Sequence, residues 1–204
     1  MPEKEKSGRS EASWLGFLLP PLVVIAAGFL WIAASRHDSD NAPGAPSRGL
    51  KAGTAYYVYV SQAELYPTNQ ENEPWDSGSA ASPDIRNRIV WQGNTIYESP
   101  TADDTLIAEW SGVKDGALDK LLGEKLIRAG QVRAVKDGHI TIHVEDVDTL
   151  RNDPAGTIKL PIMDLAEGVN DLTYEKKEGR AIKRLRIKLV SSDQPLEAII
   201  GKLR

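Results

Sequence analysis

Short runs of alternating apolar and polar residues dominate the chain beyond residue 54. This two-residue period is typical of β-strands that bury one face. The turn signals Q-G-N (92–94) and K-D-G (136–138) predict that the segments on either side of each turn form a hairpin. The alternation predicts strands over residues 55–65, 84–91, 95–101, 131–135, 138–144, 157–161 and 181–190, with a short apolar segment over 106–110.

One segment departs from this period. Leucines recur at helical spacing between residues 118 and 126, and Gly130 stands where a helix would end. We therefore predict a helix over 115–129, inserted into an otherwise all-β domain. Many short strands at regular spacing favour an antiparallel β-sandwich over 55–190, followed by a C-terminal extension over 191–204.

The first part of the chain has a different hydropathy pattern. A polar tail (1–13) precedes residues 14–34, which contain no charged side chain. About 20 apolar residues are enough to cross a bilayer as a helix, and Trp14 and Trp31 lie near the two ends, as interfacial aromatics do. This pattern predicts one N-terminal transmembrane helix. Ala-Ala-Ser at 33–35 leaves open the alternative of a cleaved signal peptide.

Basic residues near the predicted span indicate its orientation. Their density favours the N-terminal side, so we expect a cytoplasmic tail and an extracytoplasmic (periplasmic) globular domain on a single-pass membrane protein. Residues 35–54, rich in Pro, Gly, Ser and Asp, are typical of a flexible linker. The basic residues counted are Lys4, Lys6 and Arg9 before the span, and Arg36, Arg48 and Lys51 after it.

Composition excludes several classes of chemistry. The chain has no cysteine, so disulfides and thiolate metal sites are ruled out, and a formal charge of −4 gives no argument for nucleic acid. His139 and His143 are four residues apart on a predicted strand, a separation of roughly 13 Å, which is too far for both to bind one zinc ion. Because no nucleophile elbow, phosphate-binding glycine loop or H-E-x-x-H motif occurs, we do not expect an enzyme.

Three aspartates follow the strand predicted over 138–144. Asp146, Asp148 and Asp153 are so close in sequence that their carboxylates would repel one another, and a bound hard cation would remove that conflict. Calcium prefers carboxylate and carbonyl oxygens. The alternative is a polar turn, because Asn-Asp-Pro at 152–154 is also a turn sequence.

The order of these features resembles a C2 domain, an eight-stranded sandwich that often binds calcium at one tip. The resemblance is carried by V-E-D-V-D-T-L-R-N-D-P-A-G (144–156), by S-P-D-I-R-N-R-I-V-W (82–91), and by the segment from 93 to 110 that ends in T-L-I-A-E-W. One departure is that Pro83 precedes the aspartate of the first loop instead of following it. The calcium ligands that the resemblance implies are Asp76 and Asp84 from the first loop, and Asp146, Asp148 and Asp153 from the third.

The last predicted strand is strongly basic. Its cationic side chains Lys183, Arg184, Arg186 and Lys188 are here called the basic stripe, and the last three of them alternate with Leu185, Ile187 and Leu189. The stripe is a candidate surface for anionic lipid headgroups or for a partner in a membrane-protein complex. The alternative is an outer strand whose charges prevent aggregation.

These observations leave two functional hypotheses. The first is a membrane-tethered, C2-like binding module, with calcium as a candidate ligand, that docks on lipid headgroups or on a protein. The second is a calcium-independent accessory subunit of a larger membrane-protein complex.

Overall fold

The structure, a computed structural model, describes residues 49–75, 82–114, 126–148, 152–177 and 179–204. The predicted transmembrane helix (14–34), most of the predicted linker and Asp76 lie outside these residues. Within them, no helix is both long and apolar enough to cross a membrane.

Antiparallel strands form almost all of the regular structure, which confirms the all-β prediction. The elements are β1 (Ala55–Leu65), β2 (Ile85–Trp91), β3 (Asn94–Glu98), β4 (Ile107–Glu109), β5 (Gly130–Arg133), β6 (His139–Asp146), β7 (Asp153–Pro161), β8 (Gly168–Thr173), β9 (Ile182–Ser191) and α1 (Leu196–Leu203).

The strands form two sheets. In the first sheet the order is β4-β1-β9-β8. Strands β5 and β4 both pair with the same edge of β1, β5 with its N-terminal part and β4 with its C-terminal part. In the second sheet the order is β3-β2-β6-β7. Every strand pair is antiparallel, as a sandwich built from hairpins and crossovers requires.

The core lies where the alternating residues of both sheets meet. On β9, Leu185, Ile187 and Leu189 are fully buried, while the residues between them are partly exposed. On β6, Ile140 and Ile142 are fully buried in the same way. Each of these strands therefore has an inner apolar face and an outer, more polar face.

The predicted hairpin of β5 with β6 is wrong. β5 pairs with β1 in the first sheet, whereas β6 pairs with β2 and β7 in the second. The K-D-G turn instead carries the chain from one sheet to the other. Gly138 is needed there because an added Cβ would lie 2.5 Å from Trp91 Cη2 and 2.8 Å from Val135 Cγ2.

The helix predicted over 115–129 falls mostly outside the described residues. Its last part, 126–129, is not α-helical: Ile127 forms an isolated bridge with Val113, and β5 begins at Gly130. The α-helix of the described residues is α1, at the end of the chain.

Helix α1 packs on the outer face of the first sheet. Ile199 and Leu203 are buried there, and the carbonyl oxygen of Leu203 accepts hydrogen bonds from the Tyr59 hydroxyl (2.8 Å) and from Gly112 N (2.9 Å). The terminal carbonyl of a helix has no partner within the helix, so these two bonds satisfy it. Burial raises the pKa of Tyr59 to about 12, so its hydroxyl stays a donor at neutral pH.

Candidate functional sites

Aspartates that the sequence singled out meet at one end of the sandwich. Asp146 ends β6, and its cross-strand neighbours are Ile85 on β2 and Asp153 on β7. The backbone N–H of Asp84, just before β2, donates to Asp146 Oδ1 at 2.6 Å. Asp148 lies two residues beyond β6 and is half-buried. We call Asp84, Asp146, Asp148 and Asp153 the aspartate tip.

Two carboxylates of the aspartate tip hold the chain together. Besides the bond to Asp146, Asp84 Oδ1 accepts the backbone N–H of Asp104 at 2.8 Å, and Asp104 itself has a φ of +50°. Val147 N donates to the carbonyl oxygen of Asp84 at 2.9 Å. Because Asp146 is only 1% exposed, its bond to Asp84 fixes the entry to β2 from inside the protein. Backbone amides therefore supply hydrogen-bond donors to two of these crowded carboxylates.

The described part of the aspartate tip shows no ready-made cluster of metal ligands. Calcium takes about 6–8 oxygen ligands. Among the residues that the structure describes, no group of three or more His, Cys, Asp or Glu side chains is arranged to hold a metal ion. Asp76, another expected ligand, lies outside that part of the chain. Calcium binding therefore stays a prediction from the sequence.

The basic stripe lies on the outer face of the first sheet, next to carboxylates of the neighbouring strands. Lys183 Nζ lies 2.6 Å from Glu64 Oε1 on β1. Asp171 on β8 accepts Arg184 through both of its oxygens, with Nε to Oδ1 at 2.6 Å, and Arg186 Nε lies 3.1 Å from Oδ2. The hydrogen bonds from Arg184 lower the pKa of Asp171 below its usual value, even though burial acts against them.

The charges on this face are therefore largely balanced. Lys188, the remaining member of the stripe, donates to the backbone carbonyl oxygen of Arg204 at 2.8 Å, and burial lowers its pKa. The next polar pair, Gln62 Nε2 to Glu109 Oε1 at 2.8 Å, adds a third carboxylate to the same face. An anion that approached the stripe would have to compete with partners already in place.

An open groove of about 540 Å³ lies on the outer face of the second sheet. Its floor is a row of cross-strand neighbours, Val90 on β2, Thr141 on β6 and Lys159 on β7. The two turns that flank the groove complete its walls. Among the described residues, the lining is Val90, Gln92, Gly93, Val135, Lys136, Asp137, Gly138, His139, Thr141 and Lys159, and we call it the lysine groove.

The charges of the lysine groove are arranged differently from those of the basic stripe. Lys136 and Lys159 are exposed, and neither forms an ion pair with a residue that the structure describes. Asp137 is the one acidic side chain among the lining residues of the described chain. This surface therefore presents cations that are free to meet an anion.

Both histidines of β6 lie on the same outer face. His139 Nδ1 lies 3.0 Å from the carbonyl oxygen of Asp137, and His143 Nδ1 lies 3.0 Å from Thr157 Oγ1. Burial and the cross-strand neighbour Arg88 lower the pKa of His143, while Glu145 acts in the opposite direction. The histidines extend the polar face beyond the groove.

Sequence reasoning missed the lysine groove because its lysines belong to distant segments. Lys136 comes from the turn before β6, and Lys159 comes from β7. The sequence signal was alternation. The threonine and lysine of T-I-K on β7, and every second residue of β6, occupy the positions that point away from the core. Placing the two lysines together also needs the pairing of β6 with β7, which the sequence did not predict.

Solved structures that are similar to this chain include C2 domains. No family model and no curated protein sequence matches the chain. A solved C2 domain matches 67% of this chain and 97% of its own, at 12% identity and a TM-score of 0.43. A C2 domain of plant extended synaptotagmin 1 matches 70% of this chain and 98% of its own, at 10% identity and a TM-score of 0.43. Human GIVD cytosolic phospholipase A2 matches 71% of this chain at 12% identity and a TM-score of 0.45, over only 17% of the phospholipase.

These matches lie at low identity and below a TM-score of 0.5, so no function is carried over from them. The antiparallel sandwich is established by the strand pairing of the chain itself. Its candidate functional surfaces rest on the contacts and charges of its own residues.

Proposed function

We propose that the protein is a membrane-tethered, C2-like binding module that docks on anionic phospholipid headgroups through the lysine groove. The observation that carries this proposal is the open groove on the second sheet, with two exposed lysines that form no ion pair with any residue the structure describes. The predicted span over 14–34 supplies the tether, and the proposed role is binding without catalysis. In the orientation expected from the sequence, the globular domain lies outside the cytoplasm.

The lysine groove is a better lipid site than the basic stripe that the sequence favoured. A basic residue near an anionic membrane contributes about 1 kcal/mol when it is free to act on the headgroups. Lys183, Arg184 and Arg186 already meet Glu64 or Asp171, so a headgroup would gain less from them. Lys136 and Lys159 have no such partner to give up among the described residues.

Docking in this proposal does not require calcium. The contacts from Asp84 to Asp146 and from Asp104 to Asp84 support this, because they hold the tip together through backbone amides. The lysine groove also lies among other loops than the aspartate tip. Calcium at Asp84, Asp146, Asp148 and Asp153 is kept as the alternative to be tested.

Vesicle binding by the full chain tests the proposal. The chain is held in phosphatidylcholine nanodiscs, and binding is measured to immobilised phosphatidylcholine vesicles with and without phosphatidylglycerol. We expect binding only to the anionic vesicles, at the same strength with calcium and with chelator. Changing Lys136→Gln together with Lys159→Gln should weaken it by roughly thirtyfold, from about 1 kcal/mol for each lysine.

The matched control removes the same charge from the basic stripe. Lys183→Gln together with Lys188→Gln also neutralises two lysines, but both of these have partners in the structure. We expect this variant to bind within about twofold of the parent, since paired surface charges contribute little. An equal loss in both double variants would show that net charge, not the lysine groove, governs binding.

A second candidate is the calcium-independent accessory subunit. Two large apolar side chains are exposed on the outer face of the first sheet, Ile107 (51%) on β4 and Val169 (41%) on β8. β4 and β8 are the outermost strands of the path β4-β1-β9-β8, and an exposed edge strand can pair with a strand of another protein. Failure of the parent protein to bind anionic vesicles would favour this candidate.

A further inference from the structure

The lysine groove continues into a histidine-bearing face. His139 lines the groove, and His143 lies one outward position beyond Thr141 on the same strand. Residues two apart on a strand point to the same side, so both imidazoles lie on the face that carries Lys159. Imidazoles exchange a proton between about pH 5 and 8, so this face can gain charge within the physiological range.

The hydrogen bond of His139 fixes where its second proton would bind. A carbonyl oxygen can only accept, so Nδ1 of His139 must carry the hydrogen that it shares with Asp137 O. This leaves Nε2 as the unprotonated nitrogen of the neutral ring. Protonation at Nε2 adds a positive charge without breaking the bond to Asp137.

His143 is set between opposing charges. Arg88 lies beside it on β2, and Glu145 follows on the same face of β6. Thr157 on β7 contacts its Nδ1, and Glu145 itself is paired with Arg86, 2.6 Å away. Burial and Arg88 keep the pKa of His143 below its usual value in the free protein. A bound anion would offset the repulsion from Arg88 and favour the protonated ring.

The groups around His139 are also mixed in sign. The preceding turn contributes Lys136 and Asp137, and β7 contributes Lys159. The β2–β3 turn contributes only uncharged lining residues, Gln92 and Gly93. His139 therefore lies on a surface where lysines outnumber the single acid among the described lining residues.

Resting on the proposed function, we propose that docking at the lysine groove strengthens as the pH falls, because the imidazoles of His139 and His143 lie on the face that meets the headgroups and positive charge gained there adds to that of the lysines. Binding and protonation are linked reciprocally. If a bound anion favours protonation of the imidazoles, then protonation of the imidazoles must tighten the binding of the anion by the same factor.

The test uses the same full chain in phosphatidylcholine nanodiscs and vesicles containing phosphatidylglycerol, whose phosphodiester stays ionised throughout. Lowering the pH from about 7.5 to about 5.5 should tighten binding by roughly fivefold for each histidine that becomes charged. The double variant His139→Gln with His143→Gln should lose this pH dependence. The chain has three histidines, so His37→Gln is the matched control and should retain the dependence.

The outcomes separate this inference from the proposed function. No binding of the parent to anionic vesicles at either pH would overturn the proposed function. Equal binding at both pH values would leave the proposed function intact and overturn the histidine inference alone. A pH dependence that persists in the His139→Gln, His143→Gln variant would also overturn it, because another group would then be titrating.

Discussion

Three aspartates of this protein, at two places in the fold, accept hydrogen bonds from different kinds of donor. Asp146 and Asp84 accept backbone amides at the aspartate tip, whereas Asp171 accepts two arginines on the outer face of the first sheet. The sequence revealed the clustered aspartates because they are close in the chain. It did not reveal Asp171 as the partner of Arg184 and Arg186, since that contact depends on the pairing of β8 with β9.

The Asp171 pair predicts a pH-dependent contribution to stability. The folded pKa of Asp171 is lowered, so the folded protein favours its ionised form. That stabilisation is complete above the unfolded value of about 3.9 and is lost as the pH falls through the folded value. We expect Asp171→Asn to lower the free energy of unfolding by about 1 kcal/mol at neutral pH, as for a partly exposed pair. The difference should shrink on acidification to below about pH 3, as measured by urea unfolding.

Asp164→Asn is the control for this prediction. Asp164 is exposed and forms no ion pair with a described residue, so its substitution should change stability by less than about 0.5 kcal/mol. A cost for Asp171→Asn that stays constant between neutral and acidic pH would contradict the proposed role of the ionised carboxylate.

At the scale of elements, strands with strong alternation were predictable and those without it were not. β1 was predicted with its observed bounds, and β2, β6 and β9 within two residues at each end, because one face of each is buried. β8 (G-V-N-D-L-T) was missed because only two of its residues are large and apolar. β7 begins at Asp153, earlier than predicted, because the aspartate and proline of the turn-like N-D-P sequence pair with β6. Proline is tolerated there because β7 is an edge strand.

Helix α1 was missed although its signal is present. Leu196, Ile199, Ile200 and Leu203 follow Pro195 at the spacing of one helical face. Eight residues are too few for an isolated helix to be stable, so its packing on the first sheet must stabilise it. The sequence shows the period but not the surface against which the helix packs.

This dependence on packing predicts unequal costs along α1. Leu203→Ala removes a fully buried side chain and should lower the free energy of unfolding by about 2–5 kcal/mol. Ile200→Ala, on the same helix but only partly buried, should cost clearly less. Urea unfolding of both variants checks the order, and equal costs would show that α1 does not rest on the sheet as described.

At the scale of the whole molecule, the two outer faces differ in charge and in packing. The first sheet carries balanced ion pairs and the packed helix α1, and both reduce what it can offer to a charged ligand. The second sheet carries the lysine groove and the two histidines. Fold class was predictable from alternation, but the proposed recognition face was not, because it depends on which distant strands are neighbours.

Calcium binding at the aspartate tip can be tested on the whole molecule through its effect on the melting temperature. A ligand at 100 times its dissociation constant stabilises by about 2.7 kcal/mol, which for a chain of this size raises the melting temperature by about 5–10 °C. Because the described carboxylates hold the loops through backbone amides and form no three-residue metal group, we expect the full chain to melt at the same temperature in millimolar calcium and in chelator. Asp148→Asn with Asp153→Asn is the matched control, since it removes tip charges but spares the bonds of Asp84 and Asp146. A calcium-dependent rise in the parent that this variant lacks would contradict calcium-independent docking and would restore the aspartate tip as a metal site.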